Sequence, residues 1–234
     1  MEIYKGIEIV DLSIYIKKYK TLVISDLQLG IEESLNKNGL LIPRLQFDLI
    51  KKKLDKIFEI IKPERVIING DLKHEFGIIS RQEWKETIDL IDYLFGKTRK
   101  IILIKGNHDV ILNLIAKKKN LDIVDEFLCG DILILHGHKI SLNSYKYNVL
   151  IIGHEHPAIS LKEDAKIEKY KCFLKGKYNN HHLIVMPSFS ALNIGTDVLK
   201  DTFLSPYLNV NLDNFRVFII EDKVYDFGKI KNLR

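Results

Sequence analysis

Five short clusters rich in oxygen and imidazole donors follow one another along the chain. They are Asp26-Leu27-Gln28, Gly70-Asp71, Gly106-Asn107-His108-Asp109, His136-Gly137-His138 and Gly153-His154-Glu155-His156. Asp26 and Gln28 stand two residues apart, as do His154 and His156. In extended backbone that spacing puts both side chains on one face, so each pair offers two ligands to one metal or one ligand to each of two neighbouring metals. Asp71 follows Gly70, which leaves no bulky neighbour before it, so its carboxylate could bridge two cations. His136 closes an apolar run, and Gly137 after it gives room for close approach. Two cations about 3.5–4 Å apart can hold a bridging hydroxide and clamp both oxygens of an in-line displacement at phosphorus. The donors suffice for two such ions with a histidine to spare, which is the equipment for hydrolysing a phosphate ester. Mixed carboxylate, amide and imidazole ligands suit manganese first, with nickel, cobalt, iron or zinc as alternatives, over magnesium or calcium.

Each cluster also has an ordinary reading. Asp26 could open a loop as an Asx residue, and Gly70-Asp71 could be a plain turn. Asn107 to Asp109 could be a turn whose Asp109 caps a helix, and His154 with His156 a half-buried pair. One coincidence is easy to accept; the whole ordered set is not. By contrast, His181-His182 after a Lys/Gly-rich stretch reads as surface loop, and His138 is balanced between a substrate contact and a solvent-facing residue.

The elements that must position these clusters alternate through the first half. Apolar runs at 21–25, 66–69 and 101–104 read as buried strands. A helix carries Ile50, Leu54, Ile57, Phe58 and Ile61 on one face, with Pro43 near its start and Pro63 stopping it. Ser80-Arg81-Gln82-Glu83 is a capping box opening a second helix, whose Trp84, Ile88, Ile91 and Phe95 are expected to face inward and whose stop is Gly96. A third helix is expected over 110–119. Strands then dominate, at 132–135, 149–152, roughly 183–186 and 215–220, and a strand pair at 7–16 is added at the N-terminus. Strands buried on both sides with helices between them make a layered α/β sandwich, and every cluster sits at the carboxyl end of its strand, where ligands collect in such folds.

The chain has 234 residues, 46% of them hydrophobic, with no linker, repeat or low-complexity block; one domain over 1–234 is expected. The opening residues lack the basic and apolar regions of a signal peptide, and no apolar run is long enough to span a bilayer. Cys129 and Cys172 lack metal-like spacing and read as reduced packing residues of a cytoplasmic protein. The net charge of +5 suits an anionic substrate mildly, since Lys51-Lys52-Lys53 and Lys117-Lys118-Lys119 read as solvated helix faces rather than a nucleic-acid stripe.

The ordered clusters resemble the signature of the calcineurin-like metallophosphoesterase superfamily, D-x-H, G-D, G-N-H-D/E, H and G-H-x-H, over about residues 22–157. Gly70 through Phe76, Gly153 through Pro157, and Met186-Pro187-Ser188-Phe189 through Gly195-Thr196-Asp197-Val198 are similar to the small archaeal ICC-like group, itself similar to the phosphoesterases associated with DNA ligase and helicase genes. The resemblance implies a four-layer αββα sandwich of two packed mixed sheets with flanking helices. It implies that Asp26, Gln28, Asp71 and His156 hold a first divalent metal, and that Asp71 bridges to a second completed by Asn107, His136 and His154. His108 would protonate the leaving oxygen with Asp109 orienting its imidazole, and His74 would lie near the scissile phosphate. Gln28 departs from the pattern, which has His there; an amide oxygen is a weaker donor than imidazole and makes the first site richer in oxygen.

The expected activity is that of a binuclear phosphodiesterase acting on a phosphoester, nucleotides and nucleic acid included, away from membranes. A nuclease acting on nucleic-acid ends and a degenerate non-catalytic scaffold are the alternatives, Gln28 alone favouring the last. The segment after Pro157 is short for a capping domain and is expected to complete the second sheet and bring a loop toward the metals; segments 32–41 and 76–80 are expected to set selectivity.

Overall fold

The computed structural model describes residues 1–75, 79–109, 112–163 and 166–234. Its first sheet has seven strands in chain order: β1 (Glu2–Tyr4), β2 (Ile7–Val10), β3 (Ser13–Ile16), β4 (Thr21–Ile24), β5 (Arg65–Asn69), β6 (Lys100–Ile104) and β7 (Asp122–Val124). β1 to β4 form an antiparallel meander, whereas β4, β5, β6 and β7 run parallel. The parallel connections are spanned by α1 (Ile31–Lys37), α2 (Gln46–Ile60), α3 (Arg81–Phe95) and α4 (Asn113–Lys119). The first residues of the helix expected over 110–119 lie outside the described residues.

The second sheet contains β8 (Glu126–Cys129), β9 (Ile132–Leu135), β10 (Val149–Ile152), β11 (Pro157–Glu163), β12 (Lys166–Tyr178), β13 (His181–Val185), β14 (Thr196–Asp197), β15 (Arg216–Ile220) and β16 (Val224–Lys229). β9, β10 and β13 run parallel in its centre, with β10 between the other two. β11 and β12 form a long antiparallel hairpin whose inner end continues into the sheet.

The sheets are glued face to face by aliphatic side chains. Ile14, Val23, Ile67 and Ile102 of the first meet Ile134, Ile151, Phe173 and Ile184 of the second. β4, β5 and β6 are buried on both faces because α2 and α3 cover the other side, Ile50, Leu54 and Ile57 with Leu90, Ile91 and Leu94 packing on Leu22, Val66 and Leu103. The outer face of the second sheet is covered by a thinner layer. There Tyr207, Leu208, Leu212, Phe215 and Ile230, from 3₁₀ turns and coil, pack on Leu150, Leu174 and Leu183. The architecture is therefore the expected sandwich of two mixed sheets with flanking layers. No helix among the described residues is long and apolar enough to cross a membrane.

Two local expectations change. Phe95 is 42% exposed, because the buried face of α3 runs through Gln82, Glu83, Glu86, Thr87, Leu90, Ile91 and Leu94, with Trp84 and Ile88 at its flank. The first half of that face is polar because it closes over a loop of the site and binds backbone N–H groups there. His181 and His182 begin β13 instead of lying in a surface loop; His181 Nδ1 donates to Tyr147 O at 2.7 Å and the His182 ring packs 4.7 Å from that of Tyr4. Cys129 and Cys172 are both free and buried.

Candidate metal centre

The clusters leave the carboxyl ends of β4, β5 and β6 in one sheet and β9 and β10 in the other, and the parallel registers bring those ends together. Beyond the strands the loops stay zipped: Asp26 N donates to Gly70 O, Gln28 N to Asp71 O and Gly153 N to His136 O. The backbone at the clusters is not extended. Asp26, Gln28, Asp71, His154 and His156 have φ of 55°, 50°, 46°, 66° and 50°. This corrects the one-face argument for the paired residues: the side chains converge because tight left-handed turns aim them inward, a conformation that Asp and His tolerate better than most residues. Close approach also needs glycine. A Cβ on Gly70 would overlap the His136 ring, and one on Gly153 would overlap Ser25 Oγ and Asp26 Oδ2.

Asp71, His136 and His154 present ligand atoms that lie within 4.8 Å of one another. His136 Nδ1 donates to Asn69 O at 3.2 Å, which turns Nε2 into the site. That atom faces Asn107 Oδ1 at 3.1 Å and Asp71 Oδ2 at 3.4 Å, a position that a proton on Nε2 satisfies without metal and that a cation could take over. On the other side of Asp26, Oδ2 accepts from Ser25 Oγ and His154 N, while Oδ1 is buried without a hydrogen-bond partner. The equally unpartnered His156 Nε2 lies 3.1 Å from it. Two orphaned buried donor atoms facing each other fit a divalent cation, since buried polar groups are otherwise satisfied.

The charges agree with that use. Burial alone would raise the Asp71 carboxyl, but hydrogen bonding and charge from His136 outweigh it and hold the carboxyl below its ordinary range. His136 is correspondingly raised to about 9, Asp71 and Asp26 overcoming its burial. Burial and the His136 charge push His154 and His138 down to about 4, which leaves both as neutral imidazoles at neutral pH. His138 lines a cavity of about 410 Å³ with His136, Asp125, Lys139 and Ser141.

His108 and His74 lie together at the edge of the site, their rings 6.2 Å apart. His108 Nδ1 bonds His74 O, and its Nε2 faces Asp71 Oδ2 at 3.7 Å. Asp109, expected to orient His108, accepts backbone N–H groups: Oδ1 from Leu72 N at 3.1 Å and Oδ2 from Gly106 N at 2.9 Å. It ties the β5 and β6 loops together, and the carbonyl of His74 orients the His108 ring. Burial, then the charge of Asp71, pushes the Asp109 carboxyl up to about 6. Of the segment 76–80, residues 76–78 lie outside the described residues; the segment 32–41 contains most of α1.

Asn193 was not identified by the motifs. The stretch 186–195 folds back along the site, with Phe189 N on Ser25 O, Ser188 Oγ on Asp26 O and Ser190 Oγ on Gln46 Oε1. It delivers Asn193 Nδ2 to 2.8 Å from Gln28 Oε1 and 2.9 Å from His156 Nδ1. The sequence signal was only the general one that this tail brings a loop toward the metals.

Comparison with known proteins agrees with this fold. The nuclease MPE of Pseudomonas putida superposes with a TM-score of 0.66 at 18% identity, covering 93% of this chain and 92% of that one. The phosphoesterase Yfce of E. coli has a TM-score of 0.43 at 13% identity, with 90% and 97% covered. Vps29 of Entamoeba histolytica, complexed with zinc, has a TM-score of 0.36 at 15% identity, with 89% and 91% covered. No curated protein matches the chain. The family model of calcineurin-like phosphoesterases matches residues 19–158, from just before β4 to the start of β11, and the chain belongs to that family.

Proposed function

We propose that the protein is a binuclear, divalent-metal phosphodiesterase of the cytoplasm, working as one domain over residues 1–234. The reading rests above all on the convergence of Asp71, His136 and His154, whose ligand atoms lie within 4.8 Å of one another, beside Asp26 Oδ1 and His156 Nε2, two buried atoms 3.1 Å apart without hydrogen-bond partners; Asn107 and Gln28 would complete the two ligand groups. The family's divalent metals, manganese foremost here, would supply Lewis-acid polarisation of the phosphoryl oxygens and an acidified water as nucleophile.

The remaining chemistry belongs to the chain. His108 is the general acid. A backbone carbonyl can only accept, so the bond to His74 O puts a proton on Nδ1 and fixes Nε2 as the atom presented to the leaving oxygen. His74 sits beside it as a substrate contact, and Asp109 acts by holding the two loops in register. His136 is oriented by Asn69 O, the outer hydrogen bond expected of a metal-binding histidine. The substrate is a phosphoester, and the structural likeness to a Pseudomonas putida nuclease supports a second reading in which it is a nucleic-acid end.

The test is hydrolysis of bis-p-nitrophenyl phosphate, p-nitrophenyl phosphate and short oligonucleotides after reloading with manganese, nickel, cobalt, zinc or magnesium. Turnover of the activated diester with manganese or nickel, abolished by EDTA, is expected. A folded sample inactive on every substrate with every metal would shift the assignment to a non-catalytic scaffold, and cleavage confined to oligonucleotides would favour the nuclease.

A further inference from the structure

The first-metal half of the site is closed by a hydrogen-bonded chain of two amides and an imidazole. One nitrogen, Asn193 Nδ2, serves both Gln28 Oε1 at 2.8 Å and His156 Nδ1 at 2.9 Å. In that polarity both partners are acceptors. The lone pair of His156 Nδ1 is occupied, so the ring proton is on Nε2, which lies 3.1 Å from Asp26 Oδ1 without the geometry of a hydrogen bond. Gln28 likewise turns its oxygen to Asn193. His156 cannot then give Nε2 to a cation, and Gln28 can offer only the second lone pair of its oxygen.

The same contacts admit a second polarity. If both amides turn end for end, Asn193 presents Oδ1 and Gln28 presents Nε2. His156 Nδ1–H and Gln28 Nε2–H then both donate to Asn193 Oδ1, whose two lone pairs match two donors. The His156 proton has left Nε2 and one has arrived at Nδ1, so Nε2 regains its lone pair. The oxygen of Gln28 is released from Asn193. Both contacts to Asn193 survive the exchange, because each terminal amide atom replaces its near-isosteric twin. A carboxylate at position 193 could make only the second arrangement, and an aliphatic residue neither.

We propose that Asn193 is the positioning residue of the first-metal half-site, and that the Asn193–Gln28–His156 chain reverses its hydrogen-bond polarity when a divalent cation binds. The inference rests on the two-metal reading above. It also gives Gln28 a role: an amide in place of the usual imidazole becomes a usable ligand because a second amide holds it.

The test is spectroscopic and thermodynamic. Nitrogen–proton correlation spectra of ¹⁵N-labelled protein, with His156 assigned by the loss of its signals in His156→Gln, should show the Nε2–H tautomer without metal and the Nδ1–H tautomer after zinc loading. In metal-free Asn193→Asp, His156 should already be the Nδ1–H tautomer, which added negative charge acting only at a distance would not produce. Calorimetric titration with zinc should show the first site tightened by about tenfold in Asn193→Asp and weakened about 10–100-fold in Asn193→Ala, with the second site unchanged in both. If Asn193→Ala does not fold, the near-isosteric aspartate and the tautomer still decide. An Nδ1–H tautomer in the metal-free wild type, or an aspartate variant that binds no more tightly, overturns the inference while leaving the two-metal reading intact. A wild type that takes up no divalent cation removes both.

Discussion

Left-handed backbone at Asp26, Gln28, Asp71, His154 and His156 is the local condition on which the centre depends. Each such residue costs roughly 1–3 kcal/mol, and the cost is met by rigid strand ends and by the loop-to-loop bonds from Asp26 N to Gly70 O and Gln28 N to Asp71 O. His108 is different in kind, because its ring is held by the carbonyl of His74 while the Asp109 oxygens accept from Leu72 N and Gly106 N. In the proposed role of general acid such a histidine contributes about 10²–10⁴-fold. His108→Ala should therefore reduce turnover of diesters with poor leaving groups by that factor, and of p-nitrophenyl esters much less, since p-nitrophenolate needs little protonation. Metal content measured on the same sample should match the wild type; a lost equivalent would make His108 a ligand.

The N-terminus of α3 serves the site as well as the fold. Ser80 Oγ accepts from Glu83 N, and Glu83 Oε2 accepts from Ser80 N, closing the capping box. The other carboxylate oxygen, Oε1, accepts from His74 N at 3.1 Å and Glu75 N at 2.7 Å. Glu86 Oε2 takes Gly30 N, so the polar half of this helix fixes the loops after both β4 and β5. Glu83→Ala would leave Ser80 N and Glu75 N without their acceptor and His74 N with Leu29 O alone. Loss of the cap and of the loop anchors should cost about 2 kcal/mol, read from the urea midpoint. The rate should fall at unchanged metal content because His74 O, the support of the His108 ring, is released. Glu83→Gln keeps one oxygen and should recover part of both; full recovery would mean that the charge contributes nothing.

Across the molecule, each sheet supplies half of the centre, so ligand spacing depends on how the sheets are joined. Lys171 of β12 is one of the joints. Its Nζ donates to Ser188 O and Ser190 O, in the loop whose backbone and side chains bond Ser25 and Asp26 of the first sheet. Burial, helped by the charge of Lys53, lowers its pKa to about 7, against about 10.4 in the unfolded chain. Between those values the unfolded chain binds more protons than the folded one, so this residue makes stability rise with pH, and its contribution is smallest below about pH 7. Urea unfolding in EDTA from pH 7 to 9 should show a steeper rise in the wild type than in Lys171→Met. Equal slopes would place the charged form of Lys171 in the fold.

The donor clusters and the strands that carry them were legible because their signals are local. Val149–Ile152 and Ile132–Leu135 are apolar runs buried on both sides and bounded by Gly or His, and both strands have the expected ends. The capping box at Ser80 was equally visible, since its partners are three residues apart. The outward turn of Phe95 was not, because which face of α3 is buried depends on the loop it must cover. Nor was β12, whose lysines stand along a hairpin that is exposed over much of its length. Asp109 and Asn193 mark the same boundary at the centre itself. Adjacency in sequence suggested that Asp109 serves His108, yet its oxygens go to Leu72, 37 residues away, and Gly106. Asn193 meets Gln28 across 165 residues. Residue types and spacing determined that the chain could gather metal-binding donors at strand ends. The packing of two sheets decided which atoms face one another, because hydrogen bonds between distant loops leave no periodicity or motif in either loop.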